Sequence, residues 1–193
     1  MSRISVASRL IGAALVLCAG MPAVAQSDRP ETALRQELEQ AVWPADIVRK
    51  SRDYLGRYSR GAAAAQAKSS LDLAERSVRM LERKDVRLYR ADFEAAGSRA
   101  VARDDARQAA LGDKEAALRF ARLYGSGEGG MAQDMNRYVG WLQYAAALGN
   151  GLASYELALH YRREDQPVLA APYEARAEEL GYIPPPSLDH VRK

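Results

Sequence analysis

Cysteine is nearly missing from this chain of 193 residues: Cys18 is the only one. It lies in the opening apolar run, which reads as a cleaved leader, so the mature chain is expected to hold no disulfide and no thiolate metal site. Histidine is almost as scarce, with only His160 and His190. No His pair and no Glu-x-x-His spacing exists, so neither a metal nor any other cofactor is expected. No serine sits in a nucleophile-elbow motif, and covalent catalysis through serine finds no support. Past the leader, no apolar run is long enough to cross a bilayer. No stretch there alternates apolar and polar residues as a half-buried strand would, which leaves an all-α class.

The leader itself has three parts. "MSRISVASR" carries Arg3 and Arg9 and no acid, "LIGAALVLCAG" is apolar, and "MPAVA" ends in Ala23-x-Ala25. That is the plan of a secretory signal peptide over residues 1–25, with cleavage expected between Ala25 and Gln26. A lipoprotein signal fits less well, because Leu17 precedes Cys18 where a small residue is needed. Removing Arg3 and Arg9 from the 28 basic residues leaves 26 against 25 acids. An exported, near-neutral protein is not read as a nucleic-acid binder. The expected location is the periplasm or the exterior.

What the mature chain does have is helical periodicity. "ETALRQELEQAVW" places Leu34, Leu38 and Val42 on one side of a short helix, and Pro44 suits the first turn of the next. "GAAAAQAKSS" fits either a close-packed helix or a connector. Leu71, Ala74, Val78 and Leu81 form an amphipathic stripe that shifts to Val86, Tyr89 and Phe93. The change of face predicts a break near "ERKD", with Asp85 as a cap. Residues 26–100 thus form an N-terminal helical region of degenerate repeats or a cap.

Residues 101–183 repeat. Setting "GDKEAALRFARLY" (112–124) over "GNGLASYELALHY" (149–161) at an offset of 37 aligns Gly112 with Gly149, Ala116 with Ala153 and Phe120 with Leu157. Ala121 then meets Ala158, and Tyr124 meets Tyr161. Setting "WLQYAAALG" (141–149) over "YEARAEELG" (173–181) at an offset of 32 aligns Trp141 with Tyr173, Ala145 with Ala177 and Gly149 with Gly181. Each unit is two helices. The first carries Ala117, Phe120, Ala121 and Tyr124, and the second Tyr138, Trp141, Leu142 and Ala145, each set stepping by 3, 1 and 3 along one face. One such pair buries too little apolar surface to fold alone, and stacking supplies the rest.

These residues resemble the Sel-one-like repeat, a relative of the tetratricopeptide repeat. The clearest copy runs from Leu111 to Gly149. In it Gly127 and Gly129 match the family's turn glycines, Asp134 its turn acid, Arg137 its basic position and Trp141 its aromatic. Gly130 is a one-residue insertion, and Tyr138 stands where the family has Ala. The second copy has "RREDQP" in place of the glycine turn and carries Pro172, expected to shorten or kink its helix. The resemblance implies a short α-solenoid of antiparallel helix pairs, and the Pro-led ending at 184–193 reads as a semi-rigid tail. The resemblance also implies that the first helix of each pair lines the binding face. The non-core positions of those helices are Leu118, Arg119 and Arg122, aligned with Tyr155, Glu156 and Leu159. Arg119, Arg122, Tyr155 and His160 are the expected contacts to a protein or peptide.

The glycine-rich "GSGEGG" invites comparison with a phosphate loop, but it follows a helix, lacks Lys and carries Glu128. A turn between two helices explains it better, since glycine reverses the chain at little steric cost. His160 is assigned as a surface or groove histidine rather than a base. The pairs Asp104–Asp105 and Glu178–Glu179 diverge by about 100° on a helix and read as solvated surface. "RKSRDYLGRYSR" (49–60) is most simply a solvated helix face, with contact to an anionic envelope polymer as the functional alternative. The expected function is a non-catalytic interaction scaffold in the cell envelope. The alternatives are a factor bound to peptidoglycan or exopolysaccharide and, third, an envelope hydrolase.

Overall fold

In a computed structural model residues 29–183 are described, and every regular element among them is an α-helix. The expected leader at 1–25 and tail at 184–193 lie outside the described residues. Helix α1 (Arg29–Gln40) buries Leu38. Pro44 opens α2 (Pro44–Arg57) at its first position, where a missing N–H leaves no bond unmade. The ambiguous alanine run is the start of α3 (Ala64–Leu81). Its buried line is Ala67, Ser70, Ala74 and Ser77, while Leu71, Val78 and Leu81 of the expected stripe are only half-buried. Small side chains spaced by 3, 4 and 3 let α3 lie close on α2, and the larger residues flank that seam.

Residues 82–89 form a non-helical strap rather than a capped helix start. Asp85 caps nothing, because its carboxylate is held by Arg83 at 3.0 Å. Helix α4 (Arg90–Gly97) begins instead at Tyr89, whose backbone N–H donates to Asp92 at 2.8 Å. The expected Val86–Tyr89–Phe93 face therefore breaks. Val86 and Leu88 turn inward while Arg87 and Tyr89 turn outward, the alternation of extended chain.

Five helices follow: α5 (Ala100–Ala110), α6 (Lys114–Ser126), α7 (Met135–Ala147), α8 (Gly151–Arg163) and α9 (Pro167–Glu179). Sequence neighbours pack as pairs, α6 on α7 and α8 on α9, and α7 packs on α8 to join the pairs. One hydrogen-bonded stop recurs three times. After α5, Asp113 N–H donates to Gln108 C=O (2.9 Å) and Gly112 N–H to Ala109 C=O (3.0 Å). After α7, Asn150 reaches Ala145 (3.0 Å) and Gly149 reaches Ala146 (2.9 Å). After α9, Tyr182 reaches Ala177 (2.9 Å) and Gly181 reaches Glu178 (2.9 Å). The motif needs a left-handed residue, and Gly112, Gly149 and Gly181 take φ of 91°, 90° and 75°. Asp113 and Asn150 then cap α6 and α8 through their side chains. The offset of 37 thus reaches back into α5, which occupies the place of α7 one unit earlier.

The second unit solves its missing glycine turn differently. α8 ends in the same bonding pattern, with Gln166 N–H to Tyr161 C=O (2.8 Å), and Asp165 takes the left-handed place at φ 55°. Pro172 does not shorten α9, which runs its full 13 residues. The ring removes one N–H, and the carbonyl it deprives belongs to Val168, a residue 83% exposed near the open end of the helix.

The core follows the expected faces. Ala117, Phe120, Ala121, Tyr124, Trp141, Leu142 and Ala145 are buried, as are Ala153, Leu157, Ala158 and Ala177. Tyr138, Tyr161 and Tyr173 are half-buried. Leu118, expected outside the core, is buried. Trp141 sits at the centre, its ring 4.7 Å from Phe93 and 4.9 Å from Phe120. Phe93 comes from α4, so the N-terminal region shares one hydrophobic core with the repeats. Arg107 of α5 strengthens that union by donating to the carbonyls of Leu38 (2.7 Å) and Ala41 (2.9 Å) at the end of α1.

Candidate functional site

An open groove of about 770 Å³ lies between α6, α8 and the first turn of α7. The loop that shapes it begins where α6 ends at Gly127, in a left-handed conformation with φ 73°. Several of its backbone donors are bonded within the chain. Gly127 N–H reaches Leu123 C=O (2.9 Å), Met131 reaches Glu128 (3.0 Å), and Asp134 reaches Tyr124 (2.9 Å). Gln133 Nε2 adds a bond to Gly125 C=O at 2.8 Å. Arg99 donates to the carbonyl of Gly129. Asp134 starts α7 by accepting from Arg137 N–H at 3.1 Å. This is a braced turn, with those N–H groups spent on the chain itself rather than offered to a phosphate.

Beside the turn, the ring of Tyr138 lies over Gly125, where an added Cβ would meet ring carbon Cδ2 at 2.8 Å. The absence of a side chain at Gly125 makes room for this ring. Its hydroxyl pKa is pushed up, first by burial and then by the charge of Glu156. Arg137 is held on the other side of α6, 5.4 Å over the ring of Tyr124 and 3.1 Å from Asp92.

Three of the four expected contact residues meet in this groove. Arg119, Arg122 and His160 line it, from α6 and α8. Tyr155 does not, because its ring packs at 5.1 Å against Tyr182. The two arginines are already engaged. Arg119 pairs with Asp105 of α5, which raises its pKa. Arg122 reaches Glu156 Oε1 through Nη2 at 2.6 Å and Nε at 3.1 Å, tying α6 to α8. The edge of His160 faces Tyr138 at 6.0 Å. Sequence reading passed over Glu156 as a neighbour of His160, although it stands four residues before it, one helical turn away. It also passed over Arg163 and Met135, which line the groove too. Spacing around His160 signals the first two, whereas Met135 needs the path of the loop.

The basic run 49–60 is mostly committed within the fold. Arg49 pairs with Asp46 (3.3 Å), Lys50 with Glu37 (2.9 Å) and Arg52 with Glu75 (2.7 Å). Tyr54 is fully buried, donating to Glu31 and accepting from Ala63 N–H at 3.0 Å. Burial, then the bond to Glu31, raises its pKa. Arg57 and Arg60 stay exposed.

Among the described residues no group of three His, Cys, Asp or Glu is placed to hold a metal, and no helix is long and apolar enough to cross a membrane. Compared with known proteins, the chain matches no family model, no curated protein and no solved structure, so its function is argued from its own residues.

Proposed function

We propose that the chain is an exported, periplasmic helical-repeat protein of the Sel-one-like kind that holds a segment of a partner protein in the α6–α8 groove. The observation that carries this reading is the make-up of the groove. Leu123, Met135 and Tyr138 give it an apolar floor, and Arg122, Glu156 and Arg163 give it a rim of both signs. An extended peptide carries matching groups, with apolar side chains for the floor and polar groups for the rim. The Arg122–Glu156 pair is partly solvated, so exchange of its bonds with a peptide costs little.

The test places a photo-crosslinking residue at Met135, which is 46% exposed at the groove, or at Leu73, 37% exposed on α3. Crosslinking in the cell envelope is expected to give a discrete protein adduct from position 135 and none from 73. Arg119→Gln combined with Arg122→Gln should weaken the adduct at least several-fold. Equal labelling from both positions, or an adduct unaffected by the double substitution, would reject the groove as the docking site.

A further inference from the structure

A second cleft lies between the strap at 82–89 and α9, and it shares no lining residue with the peptide groove. It consists of two adjoining cavities of about 280 and about 370 Å³ that have Asp85, Leu169 and Tyr173 in common. Together they reach the size usual for small-ligand sites, about 300–1,000 Å³. The strap is held in place beneath it. Arg87 N–H donates to Gln143 Oε1 at 2.9 Å, and Val86 and Leu88 are buried.

The charge lining this cleft is one-sided. Arg83, Lys84 and Arg87 come from the strap and Arg176 from α9, against the single lining carboxylate of Asp85. That carboxylate is clasped by Arg83 through two bonds of 3.0 Å. Arg176 makes a long contact of 3.9 Å with Glu179, and after the Arg83 bond its charge helps lower the pKa of Asp85.

Two phenol hydroxyls and the amides of Gln143 and Gln166 supply its uncharged hydrogen-bonding groups. Tyr161 accepts from Gln143 Nε2 at 3.1 Å, which leaves its own hydroxyl proton to donate. Tyr173 brings a second hydroxyl to the cleft, and burial raises its pKa. The two phenol rings stack at 5.8 Å and 19° and, with Leu169 and Pro172, supply the apolar surface.

A cleft lined by cations and donors needs an occupant rich in acceptors and negatively charged. Stacked rings beside it favour a body with flat apolar faces. Peptides fit poorly, because each backbone N–H demands an acceptor and the cleft has few. Sugar hydroxyls both donate and accept, so they adapt to donor-rich walls. We propose that the strap–α9 cleft is a second ligand site that binds an acidic saccharide. Its carboxylate pairs with Lys84 and Arg87 or with Arg176, and its ring packs on the Tyr161–Tyr173 face.

The test is calorimetric titration of the purified protein with trigalacturonate, its methyl ester and an acidic tripeptide. Saturable binding of trigalacturonate that weakens with salt is expected, at least tenfold tighter than the ester or the peptide. Lys84→Gln with Arg87→Gln alters two exposed side chains and should weaken binding at least tenfold with an unchanged circular-dichroism spectrum. Arg119→Gln with Arg122→Gln should leave it unaltered. Absence of binding at millimolar ligand, an ester that binds equally well, or indifference to the Lys84 and Arg87 changes would overturn the site. A peptide that binds as tightly as the saccharide would overturn the ligand class.

Discussion

Gly125 and Tyr138 illustrate how single residues set this structure. In a helix, alanine is favoured over glycine by about 1 kcal/mol, yet α6 keeps a glycine at its next-to-last position. A methyl group at 125 would stand 2.8 Å from the Tyr138 ring. Overpacking of that kind costs about 1–3 kcal/mol. Gly125→Ala alone should therefore lower stability by about 1 kcal/mol in urea unfolding. The same change made together with Tyr138→Ala should raise stability relative to Tyr138→Ala alone. Trp141 is a different kind of residue, fully buried among Phe93, Phe120 and Tyr144. Trp141→Ala should cost about 3–5 kcal/mol and lower the melting temperature. An unaltered melting temperature would mean that the ring is not where the repeat places it.

At the scale of elements, helix ends carry most of the information. Asp165 occupies the left-handed stop of α8 at φ 55°, a place held by glycine at the other stops. Asp165→Gly should relieve part of the steric cost of that conformation and stabilise the protein by up to about 1 kcal/mol. Equal midpoints in a denaturant titration would show that the aspartate is already unstrained. The link between α2 and α4 is electrostatic. Arg90 Nη2 meets Asp46 Oδ1 at 3.1 Å, and this bond, helped by Arg49, lowers the pKa of Asp46 below its ordinary 3.8. The folded pKa is depressed, so the contribution is complete above pH 3.8 and fades as pH falls through the folded value. Asp46→Asn should accordingly destabilise the protein at pH 7, by an amount that shrinks as pH falls below 3.8. A deficit that stays constant as pH falls would point to packing instead of charge.

For the whole molecule, the decisive fact is the shared core. Trp43 packs against Phe93 at 5.3 Å and Phe93 against Trp141, which carries one aromatic cluster from the α1–α2 link to α7. Arg107 joins α5 to the end of α1. The described region should then unfold as one unit. Fluorescence of Trp43, observed in a Trp141→Phe background, and of Trp141, observed in a Trp43→Phe background, should report transitions that shift together with added denaturant after allowance for each variant's stability. Two separated transitions in either variant would divide the N-terminal region from the repeats.

The amino-acid sequence by itself determined the helical class, the pairing of helices from residue 111 onward and the buried faces around Phe120, Trp141 and Leu157. Periodicity along one helix shows in the order of residues, and a hydrogen-bonded stop such as "LGD" or "LGN" is local. "QAALGD" against "AAALGN" even contained the further repeat in α5. Tertiary structure decided the rest. Only packing shows that α3 buries its small residues, that Leu118 is inside, and that Tyr155 turns to Tyr182 while Arg119, Arg122 and His160 share a groove. The same holds for the strap, where Lys84 and Arg87 meet Tyr161 and Tyr173 across more than 70 positions of chain. Such meetings depend on how whole helices lie against each other, and no local pattern encodes that.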